Sequence, residues 1–112
     1  AAARFGLDVL ADDIGDNGPA VSANVRYTVD TRRPAGSRVT DLRIDDQPID
    51  PSREYTVVVN EFLASPEFGG SPLAEQGERR EAGLSDIDAL VRYVSDHGPI
   101  RAPEPGRVRV LR

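Results

Sequence analysis

Hydrophobic and polar positions alternate most cleanly over residues 21–30, "VSANVRYTVD". Val21, Ala23, Val25, Tyr27 and Val29 share one face and polar residues the other, the pattern of a half-buried strand. In "VTDLRI" (39–44), Val39 is out of phase with Leu42 and Ile44, so a bulge near Asp41 is expected in a second strand. "DDQP" then turns the chain, and Ile49 leads through "DPSRE" into "YTVVV" (55–59), whose three valines read as a strand entering a core. Residues 85–97 change to a helical period. Ile87, Leu90, Val91 and Val94 recur at i, i+3, i+4 and i+7, with Ser85 as N-cap, Asp88 three residues on and Gly98-Pro99 closing the helix. This apolar stripe is expected to lie on the sheet. "RVRVLR" (107–112) alternates again as a final strand, and Phe5, Val9 and Leu10 suggest a short helix over 2–14.

The connections decide the class. "GDNGP" (15–19) and "TRRPAGSR" (31–38) are turn and loop, and 64–83 is the longest connection, rich in Gly, Pro and charge. "DDQP" is short enough only for an antiparallel hairpin. The expectation is an α+β domain: a mixed, mostly antiparallel sheet packed against helices, with one main helix at 85–97. Its 112 residues suit a single domain spanning 1–112.

Charge narrows the partners. The net charge is −5 and the acids are spread along the chain, which argues against nucleic acid or an anionic membrane as a partner. All 14 basic residues are Arg, but they are dispersed and so read as compositional bias, not as an anion site. No run approaches ~18 apolar residues, so no membrane span is expected, and "AAARFGLDVLADDIG" lacks the apolar core of an export signal. Cysteine is absent, which excludes disulfides and thiolate chemistry and leaves the compartment open.

Few residues offer chemistry. His97 is the only histidine and falls in the last turn of the 85–97 helix, where it suits the helix dipole and the terminal carbonyls. The acids Asp12/Asp13/Asp16 and Asp45/Asp46/Asp50 fall in turns, where Asp bonds its own backbone. Asp86/Asp88 belong to a helix start, and none of the three groups has calcium-loop spacing. "EFGGSP" (67–72) reads either as a backbone nest for an anion or as a plain flexible turn. Phe62, at the exit of the valine strand beside this loop, is open to two readings: one wall of a slot for a flat ligand, or a ring packed onto the core.

Five segments, "VSANVRYTVD", "PAGSRV", "DDQPIDP", "YTVVVNEFLA" and "DIDALVRYVSDHGPI", in this order and spacing, resemble the C-terminal domain of the 5′-nucleotidase / UDP-sugar hydrolase family, over roughly residues 19–107. The resemblance implies a two-domain secreted, periplasmic or cell-surface hydrolase that releases phosphate from nucleotides. Its divalent metal pair would lie in an N-terminal metallophosphatase domain outside this chain, with no cofactor in the chain itself. The chain would then supply nucleoside or nucleotide binding to that domain and be inactive alone. In the family the base is held between two aromatics. Phe62 matches one of them, the aromatic of "NDFLA". Gly69 matches a glycine of the family loop "GGDG", and Phe68 stands where that loop has Asp, removing a hydrogen-bonding group beside the ligand. The second aromatic and the family's Arg/Asn set precede the matched region. Two alternatives stay open: a non-catalytic scaffold or protein-interaction domain, or a parent acting on cyclic nucleotides, UDP-sugars or nucleic-acid ends.

Overall fold

The computed structural model describes residues 18–62 and 79–112. The helix expected over 2–14 and most of the 64–83 connection lie outside the described residues. Four strands form one sheet, β1 (Val25–Asp30), β2 (Val39–Ile44), β3 (Gln47–Pro48) and β4 (Val108–Leu111), in the order β3-β2-β1-β4. β1 pairs antiparallel with β2 and parallel with β4, and β2 pairs antiparallel with β3, so the sheet is mixed and mostly antiparallel as expected. With helix α1 (Asp86–His97) this is an α+β fold.

The alternation in β1 sets the core. Tyr27 and Val29 point to the buried face and meet Val39 and Leu42 of β2, and Val29 and Val39 are 0% exposed. Val21, Val25, Ile49 and Val108 pack around this cluster. The strand begins at Val25, four residues later than its alternation suggested. The Val25 N–H donates to the Ser22 carbonyl at 3.0 Å, which closes a turn over Ala23-Asn24 and leaves Ala23 exposed. Val21 reaches the core from outside the ladder.

The bulge falls where the phase error placed it. Thr28 is opposite Thr40 and Arg26 opposite Arg43, so β2 uses one residue more than β1 over the same interval. Asp41 takes φ 50°, a left-handed conformation that Asp tolerates better than most residues. The inserted residue turns both Val39 and Leu42 inward, which a regular strand could not do. Asp45 and Asp46, at φ 52° and 61°, then make a two-residue hairpin of the type I′ kind, with Ile44 opposite Gln47. Pro48 follows on β3, an edge strand, where a missing N–H is tolerated.

Two expectations need correction. Residues 55–59 form no ladder among the described residues, and Val57 and Val58 are exposed. β-Branching favours the extended backbone but does not itself supply a pairing partner, and 55–59 is not one of the four strands of the sheet. The second correction concerns α1. Its boundaries are as read: Ser85 Oγ accepts from the Asp88 N–H at 3.1 Å and Gly98 ends the helix at φ 67°. Its stripe, however, does not lie on the sheet. Ile87, Leu90, Val91 and Val94 are 71%, 59%, 59% and 37% exposed, and α1 forms no packed interface with any of the four strands. Capping and periodicity are local and set a helix's ends. The surface it covers depends on the rest of the fold.

Candidate functional site

The segment that carries the candidate site leaves the sheet after β3. The Ile49 N–H still donates to the Leu42 carbonyl at 3.0 Å, and a turn follows at Asp50. The Asp50 carboxylate accepts from the Ser52 N–H at 2.9 Å and from Ser52 Oγ at 2.7 Å, and the Tyr55 hydroxyl accepts from the Asp50 N–H at 3.0 Å. The Arg53 guanidinium sits 5.3 Å over the Tyr55 ring. These contacts fix the start of an extended run that ends in a turn at Glu61-Phe62. Phe62 stands there 63% exposed and is not part of the buried core cluster. The other two predicted site residues, Phe68 and Gly69, lie outside the described residues, as does the "EFGGSP" loop.

Asp30, Asp50 and His97 are held in local scaffold contacts. The Asp30 carboxylate receives Arg32 Nε at 2.8 Å and Nη2 at 3.0 Å, and these hydrogen bonds hold its pKa below the usual carboxylate range. Asp50 is lowered as well, chiefly by the Ser52 hydroxyl. A carboxylate stabilised in its charged form is a poor proton donor near neutral pH, so neither suits general-acid work. His97 lies in the last turn of α1 with Nδ1 2.9 Å from the Tyr93 carbonyl, which only accepts, so Nδ1 carries a proton. Its ring stacks on Tyr93 at 4.1 Å and 18°. This is the structural role expected of it. Among the described residues no three of His, Cys, Asp and Glu converge as a metal site would require.

One feature escapes the linear pattern. A shallow cleft of about 350 Å³ lies between Ala20-Val21 and the stretch from Pro103 to Val108. Its walls are far apart in sequence and meet because β4 runs beside β1. Arg107 Nη1 donates to the Val21 carbonyl at 3.0 Å across the seam. The arginine therefore ties two chain segments together, and no local motif signals the contact.

Comparison with known proteins places these features in context. The family model for the 5′-nucleotidase C-terminal domain matches residues 8–73. An apyrase from Tabanus yao is 29% identical over 97 residues, covering 80% of this chain and 18% of the apyrase. The crystal structure of a 5′-nucleotidase precursor from Thermus thermophilus superposes with a TM-score of 0.72 at 36% identity, again over 80% of this chain and 18% of the other. The chain thus spans less than a fifth of the length of either relative.

Proposed function

The chain belongs to the 5′-nucleotidase C-terminal domain family, and on that premise we propose that it is the nucleoside-binding portion of a longer phosphoesterase that releases phosphate from nucleotides. The single observation that supports this reading is the exposure of Phe62, at the end of an extended segment anchored by Ile49 and Asp50. A largely exposed aromatic side chain can offer a flat base a surface on which to stack. The sequence resemblance implies a base at this position. By sequence, Phe68 stands where the family loop has Asp and Gly69 matches a glycine of that loop, and both belong to the same proposed site.

Among the described residues no ligand set for the family's metal pair assembles. We assign the metals to a part of the parent outside this chain. In this reading the chain's own work is to bind and orient, which brings the reacting group to a fixed position and lowers the entropic part of the barrier. The 112-residue chain alone is expected to release no phosphate from AMP, ADP or UDP-glucose with added Mn²⁺, Zn²⁺ or Co²⁺. A location outside the cytoplasm belongs to the same proposal and rests on the resemblance only.

The deciding experiment is Phe62→Ala in the parent protein, with KM for a nucleotide and the unfolding midpoint measured on the same variant. A raised KM with an unchanged midpoint supports the stacking wall. An unchanged KM with a large loss of stability would transfer Phe62 to the core and favour the scaffold reading.

A further inference from the structure

Arginines that stand far apart in the chain meet on the outer face of the sheet. Tyr27 and Val29 are buried in the core, so Arg26 and Thr28 of β1 face the other way. In β2, Val39 and Leu42 are buried, which puts Thr40 and Arg43 on that same outer face. In β4, Val108 packs against the core and Arg109 therefore faces out. The register lines these residues up. Arg26 is directly opposite Arg43, and Thr28 has Thr40 on one side and Arg109 on the other. Neighbouring strands lie about 4.8 Å apart, so three guanidinium groups and two hydroxyls share a patch that one short ligand can span. Arg26 and Arg109 are exposed there, and the other residues are half-buried.

Like charges set directly opposite across strands destabilise a sheet, and a bound anion removes that penalty. The acids beside the patch are already matched. Asp41 accepts from Arg43 Nε at 2.9 Å, and Asp30 accepts from Arg32 Nε at 2.8 Å. Among the described residues Arg26 and Arg109 have no ion pair, so this face is locally positive in a chain of net charge −5. We propose that Arg26, Arg43 and Arg109, with Thr28 and Thr40, form a binding site for a short phosphate chain of the pyrophosphate or tripolyphosphate kind. Guanidinium groups bind phosphate oxygens bidentately, and threonine hydroxyls donate to them. A single phosphate meets only part of the patch, whereas a chain of two or three reaches across the strands. The net charge selects against a large acidic protein, whose outlying charges would lie against this chain's other acids. A compact anion stays within a Debye length, ~8 Å, of the arginines and feels them first. The site uses neither Phe62 nor the parent, so it does not depend on the phosphoesterase reading.

The test is an NMR titration of the 112-residue chain with phosphate, pyrophosphate and tripolyphosphate at constant ionic strength. The amides of Arg26, Thr28, Thr40, Arg43 and Arg109 are expected to shift, with affinity rising at least ~10-fold from phosphate to tripolyphosphate. Arg26→Gln and Arg109→Gln should each weaken tripolyphosphate binding ~10-fold. Without ligand, Arg26→Gln should raise the unfolding midpoint, because it relieves the repulsion from Arg43. Arg92→Gln removes the same charge from exposed α1, which forms no packed interface with the strands, and should change the affinity less than ~2-fold. ADP run beside pyrophosphate separates the sources. Equal shifts at these amides assign a nucleoside-linked chain, shifts with pyrophosphate alone assign a free one, and either supports the site. Wild-type amides of the patch that do not move with tripolyphosphate overturn the proposal, and that measurement needs no variant to fold. A loss with Arg92→Gln equal to that with Arg26→Gln also overturns it, since net charge and not the patch would then attract the anion. Tighter binding of a polyglutamate peptide at the same amides overturns it as well and gives the face to protein carboxylates.

Discussion

The Tyr27 hydroxyl donates to the Pro19 carbonyl at 2.6 Å and lies over Gly18, where a Cβ would come within 2.5 Å of the phenolic oxygen. The contact binds the segment before β1 to the buried face of the sheet, and only glycine leaves room for it. Gly18 also takes φ 71°, so Gly18→Ala should be destabilising twice over, through the clash and through the backbone. We expect a loss of about 1–3 kcal/mol in denaturant unfolding.

The same phenol makes alkaline stability a test. Burial pushes the Tyr27 pKa well above its ordinary value. The unfolded chain therefore loses this proton near pH ~10 while the folded chain keeps it, and stability falls as pH rises beyond that point. Tyr27→Phe should flatten the alkaline limb. It should also cost about 1–2 kcal/mol at neutral pH, because the Pro19 carbonyl loses its donor. Midpoints across pH 8 to ~11 check both effects.

Asp30 has the opposite sign. Its pKa is lowered by the Arg32 hydrogen bonds, so its contribution is present above the ordinary carboxylate value and is lost as pH falls through the depressed one. Carboxyl NMR should find Asp30 titrating below the ordinary carboxylate value, and Arg32→Gln should raise it. An Asp30 midpoint unmoved by Arg32→Gln would mean that the pair does not persist in solution.

The Asp45-Asp46 hairpin holds two non-glycine residues at positive φ. Asp46→Gly should relieve up to ~1 kcal/mol of left-handed strain and raise the midpoint. Asp45→Pro, whose ring fixes φ near −65°, should lower it sharply. Thermal unfolding of the two variants should move in opposite directions.

At α1 the structure reverses the order of effects that the apolar stripe suggests. Leu90 is exposed, so Leu90→Ala in this chain should stay within about 0.5 kcal/mol, as for other surface sites. Ser85→Ala removes the acceptor for the Asp88 N–H and should cost more, about 0.5–2 kcal/mol. Helicity measured by circular dichroism on both variants ranks them directly.

Phe62→Ala in the parent should weaken nucleoside binding by ~1–3 kcal/mol, the range for base–aromatic stacking. Its effect on the unfolding midpoint should be small, because the ring is 63% exposed and contributes little burial. Phe68→Ala should give a smaller binding loss. Competition by the free nucleoside separates base recognition from phosphate recognition.

Local rules account for much of this protein. The phase error between Val39 and Leu42 located the bulge at Asp41, the short Asp45-Asp46 connection required a hairpin, and Ser85 and Gly98 marked both ends of α1. Each is set by residues within a few positions of one another, through steric limits on φ or through side chain to backbone hydrogen bonds. The order and spacing of the five matching segments likewise made the family readable, and with it the interest of Phe62. What depends on distant partners was not legible. Val57–Val59 have strand composition, yet composition does not supply the distant partner a ladder needs, and this run joins none of the four strands. The α1 stripe has the period of a packed helix, but a period says only that a surface is sought. The parallel alignment of β4 with β1 and the Arg107–Val21 seam came from the tertiary arrangement alone, because contacts between chain segments more than eighty residues apart leave no trace in local periodicity.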